Sequence, residues 1–312
     1  MIYIAPIQGV TDAAWRHYHH ISYPGDNRYF TPFIRCEHGT LRHRDAKDFT
    51  SELNKGTGTE AQIIFRDMRE ADILVRELSA LGAKEINLNM GCPFPLQTGK
   101  GRGAGFIANT NEAAKLPELF GKYPEVSFSV KMRLGYESPD EWRNIIGTLN
   151  SLPLRFIALH PRVARQQYGG ELHHTEFDAF TEASKNPVIF NGEIRTPEDA
   201  TIITERHPSI CGLMTGRGIL GRPSLAQEIT EGKEIPSEER LARMMKFHKA
   251  LLRHYEETLC GDTQILSKIK GFWEYSEDEI GRKAWKAIRK STTMPKYKSA
   301  IAMILQNREV AS

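Results

Sequence analysis

Eight short apolar or β-branched runs recur along this chain with helical patterns between them, and that alternation constrains the fold more than any other feature. The runs occupy residues 2–5, 29–34, 61–64, 85–89, 127–131, 155–160, 187–191 and 210–214. Strands separated by helices pair in parallel rather than as hairpins, and eight such units suffice to close a sheet on itself. The pattern predicts a (β/α)8 TIM barrel. A doubly wound open sheet is the structural alternative; the even spacing of the units and the polar residues at their ends favour closure.

Helix signals fill the gaps. Residues 70–81 carry Ala71, Leu74, Val75, Leu78 and Leu81 at helical spacing, and Gly82 follows as a terminator. Ser138-Pro139 and Thr196-Pro197 each read as an N-cap followed by proline at the first helical position. Pro32 weakens the second run, because proline cannot donate to a sheet ladder.

Beyond about Gly232 strands give way to helices alone, at residues 236–252, 265–275 and 281–290. The expected division is a barrel over 1–232 and a small all-helical domain over 233–312. A chain of 312 residues is long enough for a barrel of about 250 residues with something smaller attached. With 40% hydrophobic and 26% charged residues, it is not a disordered polymer. It contains no run of about 18 apolar residues, and its first residues lack the basic region and apolar stretch of a secretory signal. The expectation is a cytoplasmic protein without a membrane span, and a monomer is compatible with both domains.

A net charge of +3 is too small to imply nucleic acid, so its distribution matters more. Residues 282–298 hold seven Lys or Arg and no Asp or Glu, with Trp285 and Tyr297 among them. Such a segment would attract a phosphate backbone through Lys283, Lys286 and Lys290. The plainer alternative is an amphipathic helix whose solvated face is basic.

The four cysteines, Cys36, Cys92, Cys211 and Cys260, form no CxxC pair, so a structural zinc or iron–sulfur site is unsupported. Cys211, in a predicted strand, and Cys260, near a helix end, read as buried thiols. Cys92 differs: it follows the run Glu85-Ile-Asn-Leu-Asn-Met90 in a Gly-Cys-Pro turn, where a barrel presents reactive groups. A nucleophile or a proton donor are both open readings.

Gln62, Asn89, Lys131, His160 and Asn191 end five different runs. Barrel interiors are packed with apolar side chains, so polar groups there need partners, and a bound polar cofactor would supply them. Lys131 suits an electron-rich heterocycle or its carbonyl, unless it is a lysine escaping to solvent. His160 suits a cofactor ring or a substrate carbonyl, unless it bonds locally. Asn191-Gly192 and Thr215-Gly-Arg-Gly218 follow the seventh and eighth runs, where barrels bind phosphate. His173-His174 lacks a third metal ligand at suitable spacing, and Glu85 and Asp67 lack a clear partner as acids.

Taken in order, these motifs resemble the flavin-dependent tRNA-dihydrouridine synthases. The likeness rests on Ala5-Pro-Ile-Gln-Gly-Val-Thr-Asp12, the Gln62 run, Asn87-Leu-Asn-Met-Gly-Cys-Pro93, Gly101-Arg-Gly-Ala-Gly105 and Lys131-Met-Arg-Leu-Gly135. It continues through His160-Pro-Arg162, Tyr168-Gly-Gly170, Asn191-Gly-Glu193 and Met214-Thr-Gly-Arg-Gly218 into residues 265–273. The resemblance implies reduction of the C5–C6 double bond of selected uridines in tRNA, with FMN as hydride carrier and NADPH as electron source. It maps the active cysteine, as proton donor, to Cys92. Flavin contacts map to Pro6, Gln62, Lys131 and His160, and phosphate contacts to Asn191, Gly192, Glu193, Gly216 and Arg217. Asn89, Arg162 and Tyr168 fall on the substrate side.

Two departures bear on the pocket: Ile7-Gln8 stands where the family has Met followed by an acid, and Phe65 stands where it commonly has Gly. Phe65 would crowd or stack against an occupant. The other functional readings are a flavin oxidoreductase acting on another RNA or on a small pyrimidine or conjugated carbonyl, and a noncatalytic RNA-binding barrel.

Overall fold

A computed structural model describes residues 1–309, with side chains through residue 304; residues 310–312 of the expected helical domain lie outside the described residues. Eight staves form the barrel: β1 Ile2–Ile4, β2 Asn27–Phe30, β3 Thr59–Ile64, β4 Glu85–Met90, β5 Ser127–Gly135, β6 Ile157–Val163, β7 Val188–Asn191 and β8 Gly212–Thr215. Each pairs in parallel with the next. β8 returns to β1, with Leu213 opposite Ile2 and Thr215 opposite Ile4, so the sheet closes.

The second stave departs from its expected run. It stops at Phe30, and the chain re-enters the sheet as Ile34–Glu37, parallel to β3 at Ile34 and then antiparallel to Thr40–Leu41. Pro32 carries no N–H for the ladder. Beside it, the Thr31 hydroxyl accepts from Gln62 N at 3.0 Å and so takes over as β3's partner.

The eighth stave starts at Gly212, which leaves Cys211 outside it. Cys211 and Cys260 are exposed, not buried as expected. Ser138 does not cap an α-helix either. The Glu141 carboxylate folds back onto the amides of Tyr136 (2.7 Å) and Ser138 (2.8 Å), and the turn that follows, Glu141–Asn144, is a 3-10 helix. The other two helix signals hold. Asp67 caps Met68–Ala80, with Gly82 beyond it at φ +93°, and Thr196 caps Pro197–Arg206 with proline in its first turn.

The barrel interior is graded along its axis. At the amino end of the staves, Arg155 joins buried Glu60 and half-buried Glu85. Next comes an apolar plug in which Tyr3 and Phe156 lie 4.7 Å apart, with Phe30, Ala158, Ile189 and Met214 around them. Each large side chain buried there contributes about 1.5–3 kcal/mol. Above the plug the interior turns polar, which a sealed core would not tolerate without partners.

The helices Ser237–Thr258, Asp262–Ile269, Arg282–Lys290 and Met294–Glu309 follow the barrel. The first of them packs on the barrel's first helix, Ala13–Ser22, through the Trp15–Phe247 contact at 5.7 Å. The Asp12 carboxylate accepts from Tyr255 Oη at 3.0 Å and Lys268 Nζ at 2.7 Å, tying the loop after β1 to this helical tail. Tyr297 is buried: its hydroxyl takes a bond from Trp273 Nε1 at 2.8 Å and meets His248 Nε2 at 2.7 Å. It is therefore part of the tail's core and not a ring available for stacking. Trp285 is half-buried, with the Arg289 guanidinium 4.6 Å from its ring.

Candidate functional site

At the carboxyl end of the staves the barrel opens into a cavity of about 260 Å³. Gln62 on its lining belongs to a buried polar ladder across three staves. Gln62 Nε2 donates to Asn87 Oδ1 at 2.9 Å, and Asn87 Nδ2 donates to Ser129 Oγ at 2.8 Å. The pairings Gln62 to Asn87 and Asn87 to Ser129 put these side chains level with one another.

Asn89 sits two residues above Asn87 on the same face of β4, as strand alternation requires. Its Nδ2 donates to Gln62 Oε1 at 2.8 Å, and its Oδ1 accepts from Gly91 N at 3.1 Å and Cys92 N at 2.9 Å. The Asn-x-Asn-x-Gly-Cys-Pro spacing thus has a structural cause: the second asparagine fixes the turn that carries the thiol. From the other side, Ala104 N donates to Cys92 O at 3.1 Å. Gly103, at φ +57°, leaves no room for a side chain, since a Cβ there would fall 2.6 Å from Cys92 O.

Cys92 lines the cavity yet is only 8% exposed. Burial raises its pKa, against smaller opposing effects of a backbone bond at Phe94 and the charges of Arg133 and Lys131. The sulfur therefore holds its proton at neutral pH. Lys131 faces the same cavity from β5 with no hydrogen-bond or ion-pair partner among the described residues. Burial, then the neighbouring Arg133 charge, brings its pKa down to about 7. An electron-rich ligand would restore its charge.

His160 ends β6. Burial, reinforced by the charges of Arg133, Lys131, Arg162 and Arg217, pushes its pKa well below the ordinary value. Arg162 Nη1 lies 3.3 Å from His160 Nε2. A guanidinium only donates, so Nε2 accepts and the neutral ring carries its proton on Nδ1. Arg162 itself is held by Gly170 O at 2.8 Å and Glu193 at 2.6 Å. It does not line the main cavity but a shallower depression beside it.

Glu193 adopts φ +45°, a strained conformation for a residue with a side chain. It accepts from Arg162, from Arg217 at 2.8 Å and from Arg195 at 2.8 Å. Burial opposes its ionisation, but the bond from Arg162 and the charges of Arg217 and Arg195 hold its pKa below the usual range. Arg217 also lies 4.3 Å from the Tyr168 ring, so Tyr168 stands at the cavity edge against a cation. Asn191 Nδ2 donates to Met214 O at 2.8 Å, joining β7 to β8 below the Gly192 and Gly216 backbones. Pro6, Gly192 and Gly216 complete that side of the cavity.

The structure thus gathers the predicted residues of the barrel around one opening, except Arg162 in the depression beside it, and leaves the three lysines of the tail outside. Lys283, Lys286 and Lys290 are exposed on the helix Arg282–Lys290, at i, i+3 and i+7 and so on one face. Phe65, expected to crowd the pocket, does not reach it. Its ring is buried 4.9 Å from Phe106, behind the Gly103–Phe106 turn. Ile7 and Gln8 do border the cavity. Asp67 and Glu85 have structural partners: one caps a helix, the other pairs with Arg155 and Arg28. His174 Nδ1 meets His207 Nε2 at 2.9 Å and His173 Nε2 meets Gln166 at 3.1 Å. Among the described residues no group of three or more His, Cys, Asp or Glu is placed to hold a metal.

Sequence reasoning missed Arg133 and Tyr275. Arg133 is buried in β5, bonds Gly91 O at 3.1 Å and Val163 O at 2.9 Å, and lines the cavity beside Cys92. Burial lowers its pKa to about 10. Its signal was present: it lies two residues from Lys131, on the same strand face. Tyr275 reaches the cavity from the tail, beside Glu274. Its backbone oxygen lies where a Cβ on Gly221 would come within 2.6 Å, and nothing in the sequence announces that docking.

Comparison with known proteins agrees with this arrangement. A Bacillus subtilis (strain 168) protein described as probable tRNA-dihydrouridine synthase 2 is 28% identical over 264 residues, spanning 81% of this chain and 78% of its own. A probable tRNA-dihydrouridine synthase of Rhodobacter capsulatus is 25% identical over 260 residues, spanning 83% and 79%. Among solved structures, morphinone reductase superposes with a TM-score of 0.54 at 10% identity, covering 75% of this chain and 86% of that one. Histamine dehydrogenase from Rhizobium sp. 4-9 gives 0.53 at 14% identity, covering 74% of this chain and 46% of that longer one. At such identities these two likenesses speak for the barrel alone. The dihydrouridine synthase (Dus) family matches residues 3–308, and the chain belongs to that family.

Proposed function

We propose that this protein reduces the C5–C6 double bond of uridines in tRNA, with FMN held in the barrel mouth and NADPH as the source of electrons. One observation carries the reading: a single cavity in a chain of this family holds a buried, protonated thiol and a lysine without a protein partner. The descriptions of the relatives as tRNA-dihydrouridine synthases support the choice of substrate.

The residues present fit a flavin. Pro6, Gln62, Lys131 and His160 would hold its ring, with Lys131 supplying positive charge to an electron-rich edge. The backbone at Asn191, Gly192, Glu193 and Gly216, with Arg217, would take its phosphate after β7 and β8. When bound, FMN supplies the hydride that reaches C6 of the uracil.

This chain's own residues manage the proton. Cys92 donates it to C5 as a general acid, and its raised pKa keeps that proton in place until the carbon becomes basic. The Arg133 and Lys131 charges stabilise the thiolate left behind, which regains a proton from water. Asn89 and Gly103 hold the sulfur's backbone still, so the reacting distance is set before substrate arrives. Asn89, Arg162 and Tyr168 stand on the substrate side, Arg162 by keeping His160 in one tautomer and Tyr168 by offering a ring at the opening.

The carboxyl-terminal part, expected over residues 233–312, serves as the RNA grip through Lys283, Lys286 and Lys290. Among the described residues no helix is long and apolar enough to cross a membrane. We place the protein in the cytoplasm, acting as a monomer. The test is direct: purified protein is examined for FMN absorbance, then incubated with NADPH and unmodified tRNA, and the digested nucleosides are weighed for a gain of two mass units on uridine. A flavin-free protein, or one that leaves tRNA unchanged while reducing small conjugated carbonyls, would overturn the assignment.

A further inference from the structure

Large hydrophobic side chains are seldom left exposed together without a purpose. Seven are exposed among the described residues, and three of them, Phe94, Leu96 and Tyr168, stand on the two loops bordering the barrel cavity. Leu96 is the most exposed of all at 80%, and Phe94 is 47% exposed. The Phe94 and Tyr168 rings lie 6.5 Å apart at the cavity edge, and Leu96 follows Phe94 by two residues in the short helix Pro95–Thr98.

These tips are held outward. Phe94 O accepts from Gln97 N at 2.8 Å and Thr98 N at 3.0 Å, closing the turn. Gly105 packs so tightly beneath it that a Cβ would come within 2.7 Å of Thr98 O. Pro93 on one side is buried and Pro95 on the other fixes the backbone. The backbone that carries the apolar tips is therefore held in place on the rim. Their surroundings are cationic: Arg217 and Arg133 lie 4.3 and 5.4 Å from the Tyr168 ring. Apolar points flanked by fixed positive charge complement a stacked, polyanionic helix better than another protein's surface.

The cavity adds a geometric demand. Cys92 is only 8% exposed, so a base reaches it only after leaving its stack. Extrusion leaves a gap between neighbouring bases, and a rigid apolar side chain entering that gap holds the base out. We propose that Leu96, with Phe94, is a wedge that occupies the place vacated in the RNA stack by the target nucleobase. This inference rests on the reading of the site as one that acts on a base in folded RNA.

The test compares Leu96→Ser and Phe94→Ala with the parent protein on two substrates, folded unmodified tRNA and a short unstructured oligonucleotide with the same uridine. The wedge predicts that Leu96→Ser slows reduction on folded tRNA at least tenfold and changes the rate on the oligonucleotide less than twofold. For Phe94→Ala the folded-to-unstructured rate ratio falls in the same direction. A second readout needs no turnover. With 2-aminopurine beside the target uridine, binding of the parent raises fluorescence as the stack opens, and binding of Leu96→Ser does not. Unchanged ratios and unchanged fluorescence would overturn the wedge, and so would equal slowing on both substrates. A concentration-dependent dimer abolished by Leu96→Ser would assign this rim to a second copy of the chain instead. Parent protein that reduces neither RNA would sink the functional reading itself, and the wedge with it.

Discussion

The barrel mouth and the helical tail solve different physical problems. At the mouth almost every polar group is committed: Asn89 makes three hydrogen bonds, Glu193 gathers three arginines, and His160 is fixed in one tautomer by Arg162. On the tail's basic face, Lys283, Lys286 and Lys290 project into solvent. A site built by fixed geometry fails when one atom is displaced. A surface that acts by summed charge fails gradually, and salt imitates its failure.

The sharpest way to break this contrast is at the sulfur. Cys92→Ala should retain the flavin spectrum and slow uridine reduction by roughly a hundredfold or more, the ordinary worth of a general acid. Single-turnover kinetics on tRNA measure it, and a rate within threefold of the parent would remove Cys92 from the chemistry. Next in size is Gly103→Ala. The new methyl group would press on Cys92 O and Cys92 Cβ, 2.6 and 2.8 Å away, at a backbone angle that disfavours it. Overpacking of this kind costs about 1–3 kcal/mol, read as a lowered denaturant midpoint, and reduction should fall with it. Unaltered stability would mean that the turn is not clamped.

The tail should respond differently. Changing Lys283, Lys286 and Lys290 together to Gln should weaken tRNA binding by about tenfold and reduce the logarithmic salt slope by about one per lysine. Flavin content should not move. Equal affinity and slope would show that the basic face is a solvated surface and nothing more.

The smallest effect probes the mouth's electrostatics. Burial and Arg133 lower the Lys131 pKa to about 7, so between that pH and the ordinary lysine range the unfolded chain binds a proton that the folded, flavin-free protein has released. Stability of the flavin-free protein should therefore rise with pH over that interval and be flat below it for this group. Lys131→Met should remove the rise, as thermal midpoints across the interval would report. An unchanged pH profile would place the ammonium in water.

Much of the barrel was legible because its signals are local. Alternating apolar runs, the apolar stripe of residues 71–81 with its Gly82 terminator and the Thr196-Pro197 cap all act within a few residues. The misreadings came where a side chain takes over an expected backbone or capping bond, or where tertiary packing decides. Thr31 repairs the ladder that Pro32 breaks, so the second stave splits in two, and Glu141 folds onto backbone amides that a Ser138 cap was expected to serve. Tyr297 stood in a basic segment and read as a stacking ring, yet His248 and Trp273, far off in the chain, make it core. At the site, Cys92 and Lys131 could be found from the ends of apolar runs, although β5 continues four residues past Lys131. Arg133 was findable from its parity with Lys131, whereas Tyr275 enters from the tail by packing that no local pattern encodes.

Electrons from a flavin in this cavity should end in a uridine ring. The most direct test is one anaerobic turnover of pre-reduced protein on unmodified tRNA, with flavin oxidation followed by absorbance and dihydrouridine counted by mass spectrometry. One dihydrouridine should form for each flavin oxidised. Oxidation without dihydrouridine, or no oxidation by tRNA at all, would contradict it.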